Sequence, residues 1–353
     1  MTPTGVALDR LTLALAAEPD DRGLRELVAV DGIRRTAEVC RRTERLDRGR
    51  IDEVLAAADD CGARWVTPAS AEWPSPLDDL AGHAPPSAPW GLWVRGQPGL
   101  GAAAGRSVAV VGARSCTTYG AEVAGDLGAD LADRSWTVVS GAAFGIDACA
   151  HRGALAVAGR TVAVLAGGVD VPYPRAHASL LERVADEGWI VSEYPPGEAP
   201  RPHRFLARNR IIAALAAGTV VVEAADRSGS LNTLHWADRL GRVTMAVPGP
   251  VVSRQSDGTH RAMRDGAAVL VTGADDVEDE LCGVGWEGLP ADAPVPDPAL
   301  SLLDHLAPAP RTTVAVALAA GLSAREVRAA LSLLERRGRV RRSGDGWVRA
   351  DGA

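Results

Sequence analysis

The sequence predicts an α/β protein: a Rossmann-like, doubly wound, mostly parallel sheet, with a small N-terminal helical domain and a C-terminal winged helix. Two observations predict the sheet. Short apolar runs recur from Ser107 onward at intervals of roughly 25–30 residues, and helix-like segments separate them, as in strand-helix units. The runs are continuous rather than alternating, which is typical of parallel strands covered on both faces. The ligand crevice of such a sheet lies at the carboxyl ends of its strands.

The first region, residues 1–64, is predicted to be a small helical domain. Apolar residues recur with helical spacing over 6–17, 24–30 and 51–58, and short polar turns separate these segments. The next stretch, 65–96, is rich in proline. Because proline interrupts helical hydrogen bonding, this stretch predicts an ordered connector that is not a regular helix.

The sheet domain is assigned to residues 65–284. Its predicted strands are 108–111, 137–139, 162–165, 189–191, 219–222, 243–247 and 268–271. Its predicted helices are 121–132, 146–157, 176–185, 209–217 and 231–240.

The C-terminal region predicts a linker followed by a winged helix. Residues 285–298 are rich in Gly, Pro, Asp and Ala, as linkers are. Helix-like segments at 299–306, 312–319 and 323–336 precede a glycine-turned hairpin, so residues 299–353 are assigned to the winged helix. Ser323 and Glu326 have the spacing of a capping box on its third helix.

The winged helix is also strongly basic, and this surface has two interpretations. Seven arginines lie between residues 325 and 342, which are Arg325, Arg328, Arg336, Arg337, Arg339, Arg341 and Arg342. One interpretation is an accessory DNA contact, to duplex or single-stranded DNA. The other is a solvated surface or a module that docks on protein.

Composition excludes several classes of protein. The chain has 45 acidic and 38 basic residues and a net charge of −7, with no apolar run long enough to span a bilayer, so we expect a cytoplasmic protein. Its cysteines are too far apart for a disulfide framework or a zinc site, and no metal or cofactor is expected. They are Cys40, Cys61, Cys116, Cys149 and Cys282.

A basic cluster stands out against this acidic background. Residues 199–222 contain four arginines and no acid. A local basic patch of this kind predicts contact with nucleic acid, here through Arg204, Arg208, Asn209 and Arg210. Residues 208–210 are predicted to begin a helix, whose positive dipole would add to the arginines. Alternatively, Arg208 or Arg210 pairs with Glu223 at the end of the next strand.

Three loops rich in small residues follow predicted strands. They contribute Gly112, Arg114 and Ser115 after the first strand, Ser140 and Gly141 after the second, and Ser228, Gly229 and Ser230 after the fifth. Free N–H groups and hydroxyls in such turns bind phosphate oxygens. Because the carboxyl ends of parallel strands share one edge, we expect these loops and the arginines at 208 and 210 to form one anion-binding crevice. A tight turn with a merely solvated Arg114 is the alternative for the first loop.

Catalytic patterns are sparse. Asp147 and His151 have the i, i+4 spacing of an acid-base or metal pair, but a helix cap at Asp147 and a local hydrogen bond from His151 explain them better. The sequence contains no Walker lysine, no nucleophile elbow and no pair of carboxylates with catalytic spacing. The crevice is therefore predicted to bind rather than to catalyse.

These residues resemble the DNA-processing protein A (DprA/Smf) family over about residues 65–276. The segments that carry the resemblance are VAVVGARSCTTYG, VVSGAAFGIDACAH, VLAGGVDVPYP, RNRIIAALA, VVEAADRSGSLNT, VPGP and SDGTHRAMRDGA, in this order. The family's N-terminal domain, which is similar to SAM and helix-hairpin-helix domains, and its winged helix fit residues 1–64 and 299–350. Leu206 stands where the family has proline, and residues 232–235 depart from its usual helix start.

The resemblance implies a non-enzymatic protein that binds single-stranded DNA, protects it, dimerises and loads the RecA recombinase in natural transformation or homologous recombination. Arg114 and residues 208–210 would line the DNA pocket, with Ser228–Ser230 beside them. The apolar residues 262, 263, 267, 269 and 270 are candidates for the dimer interface, although core packing explains them equally well.

Two other functions stay open. One is a nucleoside-monophosphate phosphoribohydrolase of the LOG type, which shares a Rossmann-like sheet and anion-binding turns. The segment at Ser228–Ser230 lacks the PGGxGT-type loop of those enzymes. The other is a winged-helix regulator with a ligand-sensing Rossmann domain, which the basic patch in the sheet domain disfavours.

Overall fold

The computed structural model describes residues 3–42, 48–83, 88–281, 297–306, 309–322, 324–343 and 346–350. At the N-terminus are the helices α1 (Val6–Ala16), α2 (Arg22–Arg42) and α3 (Arg48–Asp60). A kink divides α2 at Gly32, whose φ of 80° lies in a region that favours glycine.

The centre of the molecule is a sheet of nine strands with the order β1-β2-β6-β5-β4-β3-β7-β8-β9. The strands are β1 (Ala63–Val66), β2 (Leu92–Gly96), β3 (Ser107–Val111), β4 (Thr137–Ser140), β5 (Thr161–Val164), β6 (Trp189–Ser192), β7 (Gly218–Val221), β8 (Val243–Ala246) and β9 (Val269–Leu270). From β6 to β9 all neighbours pair in parallel. The predicted mostly parallel, Rossmann-like sheet is confirmed.

The sequence did not predict β1 and β2. They add an antiparallel edge, in which β1 pairs with β2 and β2 pairs with β6. Both lie in or at the border of the proline-rich stretch, and β1 crosses the boundary assigned at residue 64. The rings of Trp65 and Trp93 lie 5.0 Å apart on this edge, so the stretch extends the sheet as well as connecting two domains.

Helices cover both faces of the sheet. They are α4 (Leu100–Ala104), α5 (Thr118–Asp133), α6 (Ile146–Ala156), α7 (Ala178–Glu187), α8 (Pro202–Leu215), α9 (Ser230–Arg239), α10 (Asp257–Arg264) and α11 (Ala274–Leu281). One buried apolar cluster joins α8 and α9 to the sheet. A second cluster joins α5, α6 and α11 to it. Burial on both faces accounts for the continuous apolar strands of the sequence.

The strand order places a crevice beside β3. Chain order runs outward from β3 through β4 and β5 to β6, then returns to the other side of β3 with β7. The loops that follow β3 and β7 therefore leave the sheet in opposite directions. Ligands of open α/β sheets bind in the gap that forms at this point.

The C-terminal domain is a winged helix, as predicted. It consists of α12 (Asp297–Leu300), a 3-10 turn (Ser301–His305), α13 (Thr313–Ala320), α14 (Ala324–Arg336), β10 (Val340–Ser343) and β11 (Gly346–Arg349). Its core includes Val316, Leu331 and Trp347. Ser323 of the predicted capping box and most of the predicted linker lie outside the described residues.

The described residues contain neither a membrane-spanning helix nor a cluster of metal ligands. No helix in them is long and apolar enough to cross a membrane. No three His, Cys, Asp or Glu side chains in them are grouped so as to hold a metal ion. The cysteines that the structure describes, at positions 40, 61, 116 and 149, are free thiols.

Candidate nucleic-acid interface

A cavity of about 350 Å³ lies at the carboxyl ends of β3 and β7, where the crevice was expected. Among the predicted site residues, those that line it are Gly112, Arg114, Ser115, Arg208, Asn209, Ser228, Gly229 and Ser230. The first and third loops therefore meet at one site with the middle of α8. The sequence analysis missed three polar residues of the lining, which are Arg227, Thr233 and Gln255.

Arg208 forms the floor of the cavity and is only 5% exposed. Its Nη1 donates to the main-chain oxygens of Gly141 and Val164, at 2.6 and 2.5 Å. Its Nε is buried and has no hydrogen-bond partner, and no carboxylate of the described residues lies within the 4.0 Å of an ion pair. Burial lowers the pKa of Arg208 to about 10, so the guanidinium stays charged at neutral pH. The carboxyl of Asp147, which also lines the cavity, acts on Arg208 from beyond ion-pair distance. A buried charge without a hydrogen-bonded anion is costly, and an anion in the cavity would supply one.

The second loop supports Arg208 instead of reaching the ligand. A Cβ at Gly141 would collide with the Arg208 guanidinium, so glycine lets this side chain pass beneath the loop. Asp147 accepts hydrogen bonds from the main-chain nitrogens of Gly141 and Ala143, at 3.2 and 3.4 Å. The prediction that Gly141 lines the crevice is therefore wrong, because Arg208 occupies the space in front of it.

Asp147 and His151 do not form an acid-base pair. His151 is fully buried, and its Nδ1 lies 2.7 Å from Thr161 Oγ1. Because that hydroxyl already donates to Val138 O, Nδ1 is the donor. Burial lowers the pKa of His151 to about 3, whereas burial raises the pKa of Asp147. The local hydrogen bond predicted for His151 is present, but Gly145 and not Asp147 occupies the N-cap of α6.

Arg114 lies at the rim of the cavity beside an aromatic pair. Its guanidinium is 4.9 Å from the ring centre of Phe205, and that ring is 5.3 Å from the ring of Tyr173. Tyr173 is 46% exposed, and Phe144 on the second loop is 49% exposed. The rings of Tyr173 and Phe205 are tilted by 49° to each other. Accessible rings next to a basic cavity are the surfaces on which unpaired bases stack.

Asn209 holds the third loop in place. Its Nδ2 donates to Gly229 O at 3.1 Å and to Asn232 Oδ1 at 3.3 Å. Within the loop, the hydroxyls of Ser228 and Ser230 lie 2.7 Å apart. Asn232 is one of the positions that depart from the family's usual sequence, and here it serves as a partner for Asn209.

Two predictions about Arg210 and its helix are wrong. The helix α8 begins at Pro202, so residues 208–210 lie in its middle and the positive end of its dipole is elsewhere. Arg210 is fully buried and faces away from the cavity, with Nη1 and Nη2 each 2.6 Å from an oxygen of Glu193. The alternative partner considered for these arginines, Glu223, instead accepts hydrogen bonds from Thr117 N and Oγ1.

Ser140 also lies away from the cavity, contrary to prediction, and Arg204, for which DNA contact was predicted, lies outside it too. Arg204 makes ion pairs with Glu18, at 2.6 Å, and Glu198, at 3.1 Å, and its guanidinium covers the ring of Tyr194. It therefore joins the N-terminal domain to α8. Ser140 is buried, and its hydroxyl donates to Val110 O at 2.6 Å.

The ion pair between Glu18 and Arg204 predicts that the folded protein loses stability at acidic pH. Burial opposes ionisation of Glu18, but Arg204 and His203 outweigh it and hold the pKa of this carboxyl below its usual range. A carboxyl whose folded pKa is depressed contributes stability that is present above the ordinary value, about 4.3, and is lost as pH falls through the folded pKa. We therefore expect the Glu18→Gln variant to lose less stability than the wild type between about pH 5 and pH 3. Urea unfolding at several pH values measures this, and equal slopes would contradict it.

Contacts within the chain explain all but one of the candidate dimer residues. Ala262, Met263 and Ala267 pack on the sheet. Val269 packs against the winged helix, and Leu270 is 51% exposed. The core-packing alternative accounts for all of these except Leu270.

Comparison with known proteins gives two family matches. Residues 64–282 match the family model of DNA recombination-mediator protein A, and residues 289–346 match the DprA winged helix domain. The chain is 42% identical over 376 residues to a putative DNA processing protein DprA of Mycobacterium tuberculosis, covering 97% of this chain and 96% of that protein.

Two solved structures are also similar. DNA processing protein A from Streptococcus pneumoniae is 30% identical with a TM-score of 0.66, covering 80% of this chain and 99% of that one. DNA processing protein A from Helicobacter pylori, solved in work on its single-stranded DNA binding mode, is 25% identical with a TM-score of 0.55. The match covers 62% of this chain and 95% of the Helicobacter pylori chain.

Proposed function

This chain belongs to the DNA recombination-mediator protein A family, and we propose that it binds single-stranded DNA in the cavity beside β3. The observation that carries the proposal is Arg208, a buried guanidinium with main-chain partners and no ion pair among the described residues, at the floor of an open cavity. A phosphate of the DNA backbone gives this charge an anionic partner within hydrogen-bond distance. The single-stranded DNA binding named for the Helicobacter pylori relative supports the same assignment.

The rest of the lining suits a single strand. Arg114 and Arg227 are exposed at the rim, where they reach neighbouring phosphates. Gly112, Ser115 and the loop at Ser228–Ser230 add main-chain and hydroxyl donors. The unpaired bases of a single strand stack on Phe205 and Tyr173, whereas the bases of a duplex are already paired and stacked on one another. The contacts are to phosphates and ring faces, so binding has little sequence specificity.

Once the strand is bound, we propose that the protein shields it, acts as a homodimer and loads RecA in natural transformation or homologous recombination. Membership of the DNA recombination-mediator protein A family supports this role. The test is the rate of RecA filament formation on DNA coated with a single-strand binding protein. We expect the wild type to accelerate this step, and acceleration by a variant that no longer binds the strand would contradict the proposal.

Salt dependence follows from phosphate contacts. Each phosphate neutralised on a single strand adds about 0.7 to the slope of log affinity against log salt. We therefore expect oligo-dT binding to weaken steeply with KCl, and Arg114→Ala to lower the slope by about 0.7. Fluorescence anisotropy over a KCl series measures both slopes. A wild-type slope near zero would contradict phosphate binding.

A nucleotide hydrolase is the second candidate function, because a cavity of about 350 Å³ also holds a nucleotide. Asp147 is the only carboxyl in the described lining of the cavity, and hydrogen bonds from the second loop already engage it. The lining therefore offers no free acid-base group to cleave a glycosidic bond. Release of free base from AMP tests this candidate, and robust turnover would replace the binding proposal.

A further inference from the structure

A larger cavity, of about 850 Å³, lies between the central domain and the winged helix. Part of its wall is formed by Gly241 and Arg242, immediately before β8 begins. It therefore opens at the amino ends of the strands, opposite the cavity beside β3. Nothing in the function proposed above uses it.

Three arginines from the two domains line this cavity, and two of them lie on tryptophan rings. The guanidinium of Arg239, at the end of α9, lies 4.5 Å from the ring centre of Trp236. The guanidinium of Arg342, in the wing, lies 4.5 Å from the ring centre of Trp347. A flat ring beneath a guanidinium fixes its plane, so that N–H donors at the edge can face a ligand.

The negative charges of the carboxylates in this cavity do not neutralise all three arginines. Arg242 pairs with Asp79 at 2.7 Å, and the charge of Arg342 acts on Glu335. Arg239 has no carboxylate within the 4.0 Å of an ion pair in the part of the chain that the structure describes. Its positive charge is therefore left for a ligand.

The pKa of a neighbouring histidine is affected by the same excess of positive charge. Burial lowers the pKa of His83, and the charges of Arg239 and Arg342 lower it further. Burial also raises the pKa of Glu335, which favours its neutral form. The shift in the pKa of Glu335 reflects a partly buried space, and the shift of His83 reflects burial and also the positive charge of the arginines, which would stabilise an anion there.

The two walls of the cavity are held in fixed relation. In the winged helix, Arg328 Nη1 donates to Glu280 O at 3.3 Å, and Arg342 donates to Asp238 O. These two carbonyls lie in the last turns of α11 and α9, where the helix dipole is negative. Two arginines of the basic winged helix are thus engaged in contacts with the central domain. The docking also places Arg342 in the same cavity as Arg239.

We propose that this cavity binds a phosphorylated ligand, whose oxygens accept hydrogen bonds from Arg239 of the central domain and Arg342 of the winged helix. The chemistry recognised is a run of closely spaced phosphoryl groups. A nucleoside polyphosphate and the backbone of duplex DNA share this chemistry. Because the ligand contacts both domains, its binding stabilises their docking.

Protection of arginines from phenylglyoxal tests the proposal on the full chain. Mass spectrometry follows modification residue by residue, so the two cavities are read separately. The probes are inorganic tripolyphosphate and a 20-base-pair duplex, each added at the same concentration of phosphate. We expect loss of modification at Arg239 and Arg342 and no change at Arg160, an exposed arginine outside this cavity. Protection by tripolyphosphate indicates a free polyphosphate, whereas protection by the duplex alone indicates a DNA backbone.

The Arg239→Gln variant supplies the binding control. It keeps a polar side chain, although a shorter one, and removes its charge, and we expect tripolyphosphate to bind about tenfold more weakly in calorimetry. Unchanged modification with both probes, or equal affinity in Arg239→Gln, would overturn the proposal. Protection at Arg239 should persist in an Arg114→Glu variant, so this result is independent of the single-strand site.

Discussion

Replacing Arg210 with alanine is expected to lower the free energy of unfolding by about 3–5 kcal/mol, although this residue belongs to the most basic segment of the chain. Its side chain is fully buried and makes a bidentate ion pair with Glu193, both distances being 2.6 Å. The truncation leaves the Glu193 carboxylate buried without that partner. Urea unfolding measures the loss, and the folded fraction should bind oligo-dT as the wild type does.

The double variant Arg210→Met/Glu193→Leu is the matched control. Removing both charges avoids a buried unpaired carboxylate, so this variant should recover most of the lost stability. Wild-type stability in Arg210→Ala, combined with weak binding of oligo-dT, would show instead that Arg210 contacts DNA.

The substitution Arg114→Glu is expected to weaken oligo-dT binding by about 100-fold. Arg114 is exposed at the rim, lies over Phe205 and makes no ion pair with the described residues. The variant loses a charge-assisted bond to phosphate and adds a like charge beside the backbone. Its stability should stay near that of the wild type, because no buried contact is lost. Anisotropy of a labelled oligonucleotide measures the affinity.

Two variants separate charge from position. The same reversal at Arg160, just before β5 at the amino edge of the sheet, should change affinity little. The substitution Arg114→Lys should retain part of the binding, because lysine keeps the charge but not the fork of donors. Similar losses in Arg114→Glu and Arg160→Glu would mean that only net charge matters and that the cavity is not the site.

Most of the sheet was predictable, because a repeat of buried strands and helices leaves a regular apolar pattern. The antiparallel edge was not, since β1 and β2 precede the repeat and stand among prolines. Each is short. Trp93 is buried and Trp65 partly buried by contact with one another and with distant helices. Such contacts leave no periodic signal in the sequence.

The position of the site was predictable, but the direction of its side chains was not. Loops that follow parallel strands reach one edge, which located Gly112, Arg114 and Ser228. To predict where the arginines of α8 point, the residue at which this helix begins must be known. Pro202, in its first turn, was the available signal for that start. Positions 208 and 210 are two residues apart on a helix and point in nearly opposite directions. Arg208 therefore reaches the cavity, while Arg210 points to Glu193.

The central claim is that a single strand lies in the cavity beside β3 with its bases on the aromatic rim. Photo-crosslinking of an oligo-dT that carries 5-iodouracil, followed by peptide mapping, tests this claim directly. We predict crosslinks at Phe205 and Tyr173 that disappear in Arg114→Glu. Crosslinks confined to the winged helix, or crosslinks unchanged by that substitution, would contradict the account.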